Sequence, residues 1–328
     1  MGSQSIVRDM RPEKGATYDL FVAAVGYERR ARYVVQHLDP NAVHRVGIAF
    51  DDRQVLEYTR NYNLLVGRGY KVEVVPDREL ERWLELQLNA HLAVGKEAVR
   101  VGVDISSFSR FRIAAIVESL RRFAAAKGRR CIAEFYYSVA RFSKPPKKDG
   151  PNIAVGPVGA SFAGWTTQPD LPLAAILGLG YEEDKALGAF EHVQASAMWI
   201  VKPISDDPKF DVAVKRANHR LLENTPAGRV LEYHVANLME CFGVIESLVF
   251  GLLRSYNVVL LPFGPKPLTL CSLLVAYAHP SVAVWRVSAG GFEEPVNRRA
   301  SGHVYGLRAE FDYSEPAGTD RDATEINE

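Results

Sequence analysis

Two stretches decide how this chain is read: Phe21–Glu28, "FVAAVGYE", and Ala175–Glu182, "AILGLGYE". Each is a short apolar run that ends on Gly-Tyr-Glu and leads into a helix-forming segment. A continuous apolar run closed by a turn signal is the pattern of a strand covered on both faces. Such a strand followed by a helix opens a βαβ unit. The recurring corner raises the question of whether the whole unit recurs.

It does, in order. After the first corner come "HRVGIAFDD" (44–52), a second strand, and "RQVLEYTRNYNLLVGRGY" (53–70), a helix. Then "KVEVVP" (71–76) is a third strand, and "DRELERWLELQLNAHLAVG" (77–95) an amphipathic helix with Asp77 expected as N-cap and Gly95 near its end. "VRVGVD" (99–104), the helix "SRFRIAAIVESLRRFAAAKG" (109–128) and the strand "RCIAEFYYSV" (130–139) complete the unit. In the second copy, "SAMWIVKPISDD" (196–207) answers the second strand and "GRVLEYHV" (228–235) the third. "YNVVLLPFGPKPLTLCSLLVAYAHP" (256–280) answers the fourth strand and its helix, and "SVAVWRVSAGG" (281–291) the fifth strand. Gly26 and Gly180 lie 154 positions apart, Asp51 and Asp206 155, and Ser107 and Gly264 157. Elements that return in order at a nearly constant offset predict an internal duplication.

The expected fold is therefore α/β: two tandem Rossmann-like units with mostly parallel sheets, related by a pseudo-two-fold axis. The expected limits are 17–140 for the first unit, 141–171 for a Gly-, Pro- and Lys-rich linker with room for a short strand or hairpin, and 172–312 for the second unit. Residues before Thr17 read as a loose arm, and 313–328 as a disordered acidic tail.

Composition narrows the function. Among 328 residues the formal net charge is +1, which argues against bulk electrostatic binding of duplex DNA or anionic lipid but leaves room for a local cationic pocket. Nucleic acid is thus an allowed partner that the charge does not indicate. Cys131, Cys241 and Cys271 are far apart in sequence, sit in apolar runs and form no C-x-x-C, so buried thiols of a reducing compartment are expected. The start has no signal-peptide core, and the longest apolar runs are too short to span a bilayer, so the reading is a soluble cytoplasmic protein with no membrane partner. G-x-G-x-x-G after the first strand, H-E-x-x-H, G-x-S-x-G and a full P-loop are all missing. No metal or cofactor is expected.

Ligands of open parallel sheets bind beyond the carboxyl ends of the strands. Four such corners stand out. "DISSFSR" (104–110) offers Ser106, Ser107, Ser109 and Arg110 at a helix N-terminus, a cradle suited to phosphate. Its plain alternative is a serine N-cap with a solvated arginine. Asp104 ends a buried strand and needs partners. "PFGPKP" (262–267) brings Gly264 and Lys266 to the matching place, or forms a stiff turn with a surface lysine. The two GYE corners bring Tyr27 and Tyr181, suited to stacking on a base, and Glu28 and Glu182, which a helix start favours anyway. Arg29 and Arg30 have Glu183 and Asp184 as counterparts, so a ligand would be read asymmetrically. Lower in rank are Asp51, Asp52, Asp206 and Asp207 at second-strand ends, and Tyr136, Tyr137, Ser138, Arg286 and Ser288 at fifth-strand ends.

"DISSFSR" follows the strand-four motif D-x-[ST]-G-[GS]-[ST]-[KR] in Asp104, Ser106, Ser107, Ser109 and Arg110, with Phe108 where a glycine is expected. In that motif and in the paired units the chain resembles the CARF and SAVED sensors of bacterial antiviral defence. The resemblance implies a nucleotide-binding sensor or regulatory subunit, a cyclic oligonucleotide being one candidate ligand, held between the halves and relayed to a protein effector partner. The residues alone leave two alternatives open. One is an enzyme acting on a nucleotide or nucleic-acid end, with Asp104 or Glu28 as acid or base. The other is a scaffold subunit, which a cleft filled by its own side chains would favour.

Overall fold

The computed structural model describes residues 5–92, 97–144, 154–288 and 295–312. Its strands are β1 (Ser5–Met10), β2 (Thr17–Val25), β3 (Asn41–Ala49), β4 (Lys71–Val74), β5 (Ala98–Asp104), β6 (Arg130–Ala140), β7 (Ala154–Pro157), β8 (Leu173–Gly178), β9 (Ala197–Ile204), β10 (Val230–His234), β11 (Asn257–Leu261), β12 (Ala283–Ser288) and β13 (Ala300–Phe311). The helices are α1 (Tyr33–His37), α2 (Tyr58–Gly67), α3 (Leu80–His91), α4 (Arg110–Lys127), α5 (Lys185–Val193), α6 (Pro208–Ala217), α7 (His219–Glu223), α8 (Leu238–Leu252) and α9 (Lys266–Ala278).

The strands form two sheets. The first runs β1-β13-β6-β5-β2-β3-β4 and the second β10-β9-β8-β11-β12-β7. Within them, β4-β3-β2-β5-β6 and β10-β9-β8-β11-β12 are parallel runs of the same order, numbered within each run 3-2-1-4-5. This is an α/β fold of two sheet units, as the alternating sequence pattern predicts. The central strands explain why: all six residues from Leu20 to Val25 are buried, and so are the five from Ala174 to Gly178. Backbone without access to water must pair with other strands.

Two additions depart from the sequence reading, and a third is the short strand for which the linker had room. Residues 5–10, expected to be loose, form β1, which pairs antiparallel with β13. β13 itself pairs with β6 and extends the first sheet, although it follows the second unit in the chain. The expected limit at 312 therefore does not follow sheet membership, because the chain returns to its starting sheet. The signal in β13 is weak: its first half is partly or fully exposed, and only its end is buried, with no alternation to mark it. In the linker, β7 adds an antiparallel edge to the second sheet beside β12. The proposed acidic tail lies outside the described residues.

The units meet through α4 and α9, the helices that follow β5 and β11. Ten consecutive residues of α9, Pro267 to Ala276, are buried. A helix apolar all round belongs inside a protein, and α9 is flanked by α8 and α4. Ile113, Ile116 and Leu120 of α4 share one apolar cluster with Leu270 and Leu274 of α9 and Ile245 of α8. Each such fully buried side chain stabilises by about 1.5–3 kcal/mol relative to exposure. The packing brings the carboxyl ends of β2, β5, β8 and β11 to one junction. Among the described residues no helix is long and apolar enough to cross a membrane.

Candidate functional site

In the first unit, the β2 and β5 corners touch. A Cβ on Gly26 would lie 3.1 Å from Ser107 Cβ and Oγ, so the glycine permits the approach. In the second unit the glycine of the other GYE corner does the same: a Cβ on Gly180 would lie 3.0 Å from the Gly264 nitrogen. Gly264 has φ +83°, and a Cβ there would collide with the Leu179 carbonyl, so the residue must be glycine on both counts.

Both GYE turns are pinned by a buried asparagine. Asn61 Nδ2 donates to the carbonyls of Gly26 (2.7 Å) and Glu28 (2.9 Å). Asn218 Nδ2 donates to the carbonyls of Gly180 (2.7 Å) and Val214 (2.8 Å). A buried carbonyl in a turn needs such a donor. The sequence reading missed both asparagines, yet a signal exists: "NYNLL" (61–65) and "NHRLL" (218–222) share Asn and the Leu-Leu pair at an offset of 157.

At the "DISSFSR" corner the serines divide their tasks. Asp104 Oδ1 accepts from the Ser106 N–H at 2.9 Å, and Ser106 Oγ accepts from the Ser138 N–H at 2.8 Å, tying β5 to β6. Ser109 is the N-cap of α4, its Oγ accepting from the Arg112 N–H at 3.2 Å. The capping reading therefore holds for Ser109, whose oxygen accepts in the cap while its own O–H remains able to donate. Ser107 Oγ, Ser138 Oγ and Asp104 Oδ2 are buried and have no hydrogen-bond partner among the described residues.

Two cations cross between the units. Arg110 donates through Nε to the Pro262 carbonyl (2.9 Å) and through Nη2 to the Gly264 carbonyl (3.1 Å). Lys266 Nζ donates to the Ser106 carbonyl at 2.5 Å. Both are half-buried and bonded across the junction, not the free surface cations of the plain alternative. Arg298, absent from the sequence reading, completes the group by donating to Tyr181 Oη and to Glu28 Oε1, each at 3.4 Å. It precedes β13, so its place here follows from the return of the chain to the first sheet. Glu28 pairs with Arg30, whose Nη1 reaches the Ser138 carbonyl at 3.2 Å. The rings of Tyr181 and Phe142 flank Phe210 at 6.2 and 5.1 Å.

The electrostatics follow from this crowding. Arg30, Lys266 and Arg298 act on Glu28, Lys266 and Arg30 also on Asp104, and Arg110 adds its charge beside Lys266. Burial lowers the Lys266 ammonium to about 7; Glu28 opposes the fall, and Arg30, Arg298 and Arg110 add to it. Burial raises the Asp104 carboxyl to about 6, against hydrogen bonds from Ser106 and the charges of Lys266 and Arg30. Burial would also raise Glu28, but Arg30, Lys266 and Arg298 outweigh it and hold that carboxyl below its ordinary range. Glu28 is thus an ion-pair member rather than a poised base. The site has more positive than negative charge to accommodate.

The other predicted residues scatter. Tyr27 is half-buried, its hydroxyl raised first by burial and next by Glu28. Arg29 turns outward, away from the junction, and lines a separate cavity. Asp207 caps α6, accepting from the Lys209 N–H at 3.1 Å, and Asp206 lies 3.2 Å from His234. Asp51 and Asp52 are exposed. Tyr136 bonds Tyr18. Arg286 lies over the Phe111 ring, 5.2 Å from its centroid. Asp77 does not cap α3. It accepts from Arg112 Nε at 2.7 Å, while Arg112 also donates to the carbonyls of Ala49 (3.2 Å) and Val75 (2.8 Å). Cys241 and Cys271 are free and buried, and their thiols meet between α8 and α9 although far apart in sequence.

Among the described residues no cluster of three histidine, cysteine or acidic side chains suits a metal. No protein-family model matches the chain, and no curated protein matches it. Among solved structures it is similar to one described as a type III CRISPR defence DNA nuclease activated by cyclic oligoadenylate. The identity is 11% and the TM-score 0.46, over 79% of this chain and 64% of that one, so the likeness spans just under two thirds of that protein. At these values it is a partial likeness of architecture and nothing finer.

Proposed function

We propose that this chain is a nucleotide-binding sensor or regulatory subunit that holds a phosphate-bearing ligand at the junction of its two units. The observation that carries the reading is the surplus of positive charge there, in Arg30, Arg110, Lys266 and Arg298 against Glu28 and Asp104. A phosphate would restore the charge balance and give the lysine a partner that favours its protonated form. Ser107 Oγ supplies an unused donor beside it. Tyr27 and Tyr181 supply ring surface on the two sides.

The equal strand order and the matched pairs Gly26–Asn61 and Gly180–Asn218 support a duplication behind the two units. In the CARF and SAVED sensors that "DISSFSR" resembles, paired units bind cyclic oligonucleotides. A cyclic oligonucleotide in anti-phage defence, with the signal passed to an effector partner, is the specific form of the proposal.

A second reading has its own support. Arg110 and Lys266 already bond main-chain carbonyls across the junction, so the cluster also works as a clamp between units in a scaffold. Mass spectrometry of small molecules released on denaturation separates the two. The wild type should release a phosphorylated compound that Lys266→Met does not retain. Extracts without any such compound, or with equal amounts from both proteins, would leave only the clamp.

A further inference from the structure

Beside the junction, on the outer side of the Arg29–Arg30 turn, lies a cavity of about 370 Å³. Arg29, Arg32, Arg141 and Arg299 line it, with Tyr33 and His37. Three chain segments build its wall, and hydrogen bonds hold them in register. The Arg29 N–H donates to Asn297 Oδ1 at 2.9 Å, and the Arg30 N–H to the Arg298 carbonyl at 3.1 Å. The Arg141 N–H donates to the Arg299 carbonyl at 2.8 Å, and Arg141 Nε to the Ala300 carbonyl at 3.1 Å. Tyr33 Oη donates to the Gly302 carbonyl at 3.1 Å, and the His37 ring stacks on the Tyr33 ring with centroids 3.9 Å apart.

The pairs Arg29–Arg30 and Arg298–Arg299 divide between two places. Arg30 and Arg298 turn toward Glu28, whereas Arg29 and Arg299 turn into this cavity. Of its four guanidinium groups, Arg32 is committed to Glu57 at 3.0 Å and Asn61 at 2.7 Å. Among the described residues, Arg29, Arg141 and Arg299 show no ion pair, and no carboxylate lines the cavity. Converging arginines repel one another, and planar guanidinium forks match phosphate oxygens in pairs. The volume is at the lower end of the roughly 300–1,000 Å³ typical of small-molecule sites.

We infer that this cavity is a second anion site, distinct from the junction, which takes a small molecule carrying two or more phosphate groups. Arg29, Arg141 and Arg299 grip the phosphates, and Arg32, fixed by Glu57 and Asn61, orders the floor. The inference stands whether or not the junction binds a ligand.

Calorimetry at about 100 mM salt, where screening leaves close contacts intact, tests it with pyrophosphate and with ADP as probes. Saturable pyrophosphate binding is expected, weakened about tenfold or more in Arg29→Ala/Arg299→Ala, as for loss of charge-assisted bonds. Lys266→Met should leave it within about twofold. Equal affinities for pyrophosphate and ADP would assign recognition to the phosphates alone; tighter ADP binding would add a base contact. Both arginines are exposed, and an unchanged melting temperature checks that the double variant is folded. No binding at millimolar pyrophosphate, or binding that survives the double arginine change, would overturn the inference. Binding lost in Lys266→Met but kept in Arg29→Ala/Arg299→Ala would also overturn it, while supporting the junction as the site.

Discussion

The two GYE corners share a frame and differ in charge. In both, a glycine abuts the fourth-strand corner and a buried asparagine holds the glycine carbonyl. After the first corner come Arg29 and Arg30; after the second, Glu183 and Asp184. Arg30 folds inward onto Glu28, whereas Asp184 adopts a left-handed conformation, φ 55°, at the start of α5 and lies 3.5 Å from Arg220. The frame is what main-chain geometry requires, and the charge is what a ligand would read. The fourth-strand corners differ in the same way. Serines and Arg110 line one, while Gly264 and Lys266 line the other, and each cation reaches across to the opposite backbone.

The largest expected effect breaks the comparison. Arg112 is fully buried at the start of α4 and ties it to the ends of β3 and β4; the residue in register in the second unit, 157 positions on, is Thr269. Arg112→Ala should cost about 3 kcal/mol or more in denaturant unfolding, because the Val75 carbonyl loses its donor, the Ala49 carbonyl keeps only the Val75 N–H, and a void is left. Thr269→Ala should cost far less, since its hydroxyl has no partner among the described residues.

A smaller effect sharpens it. Asn61→Ala and Asn218→Ala each orphan a buried glycine carbonyl, and each should cost about 2 kcal/mol. Similar losses of stability would support equivalent frames. A loss in only one of the two would show that the corners are built differently.

A third effect is in pH. Lys266 falls from its ordinary 10.5 to about 7 in the folded protein. Between those values the unfolded chain holds a proton that the folded one has released, so stability should rise with pH across that window. Asp104 rises from 3.8 to about 6, so between those values the folded protein holds the extra proton and stability should fall as pH rises. Unfolding curves against pH should therefore pass through a minimum near neutrality. Lys266→Met should flatten the alkaline limb, and Asp104→Asn the acidic one.

Much of this frame was legible because buried parallel strands leave continuous apolar runs, and a repeat at a constant offset shows itself without any chemistry. β13 was not legible. Which sheet a final strand joins depends on where the chain can return, and nothing local in "ASGHVYGLRAEF" carries that. At the junction, Asp104, Ser106, Ser107, Arg110, Gly264 and Lys266 do come together, since a shared strand order places equivalent ends side by side. Arg298 and the cavity behind Arg29 were missed for the same reason as β13: both depend on its return to the first sheet. Ser109 is the helix cap that the plain alternative named, and its hydroxyl keeps a proton to donate.

The most direct test of the central claim is equilibrium binding, by calorimetry, of a panel of nucleoside phosphates and cyclic oligonucleotides to the wild type and to Lys266→Met. The account predicts at least one ligand that binds the wild type and weakens about tenfold or more in the variant. It also predicts proton uptake at pH 7.5, as the anion raises Lys266 from about 7. A panel in which nothing binds, or in which every ligand binds both proteins equally without proton uptake, would contradict it.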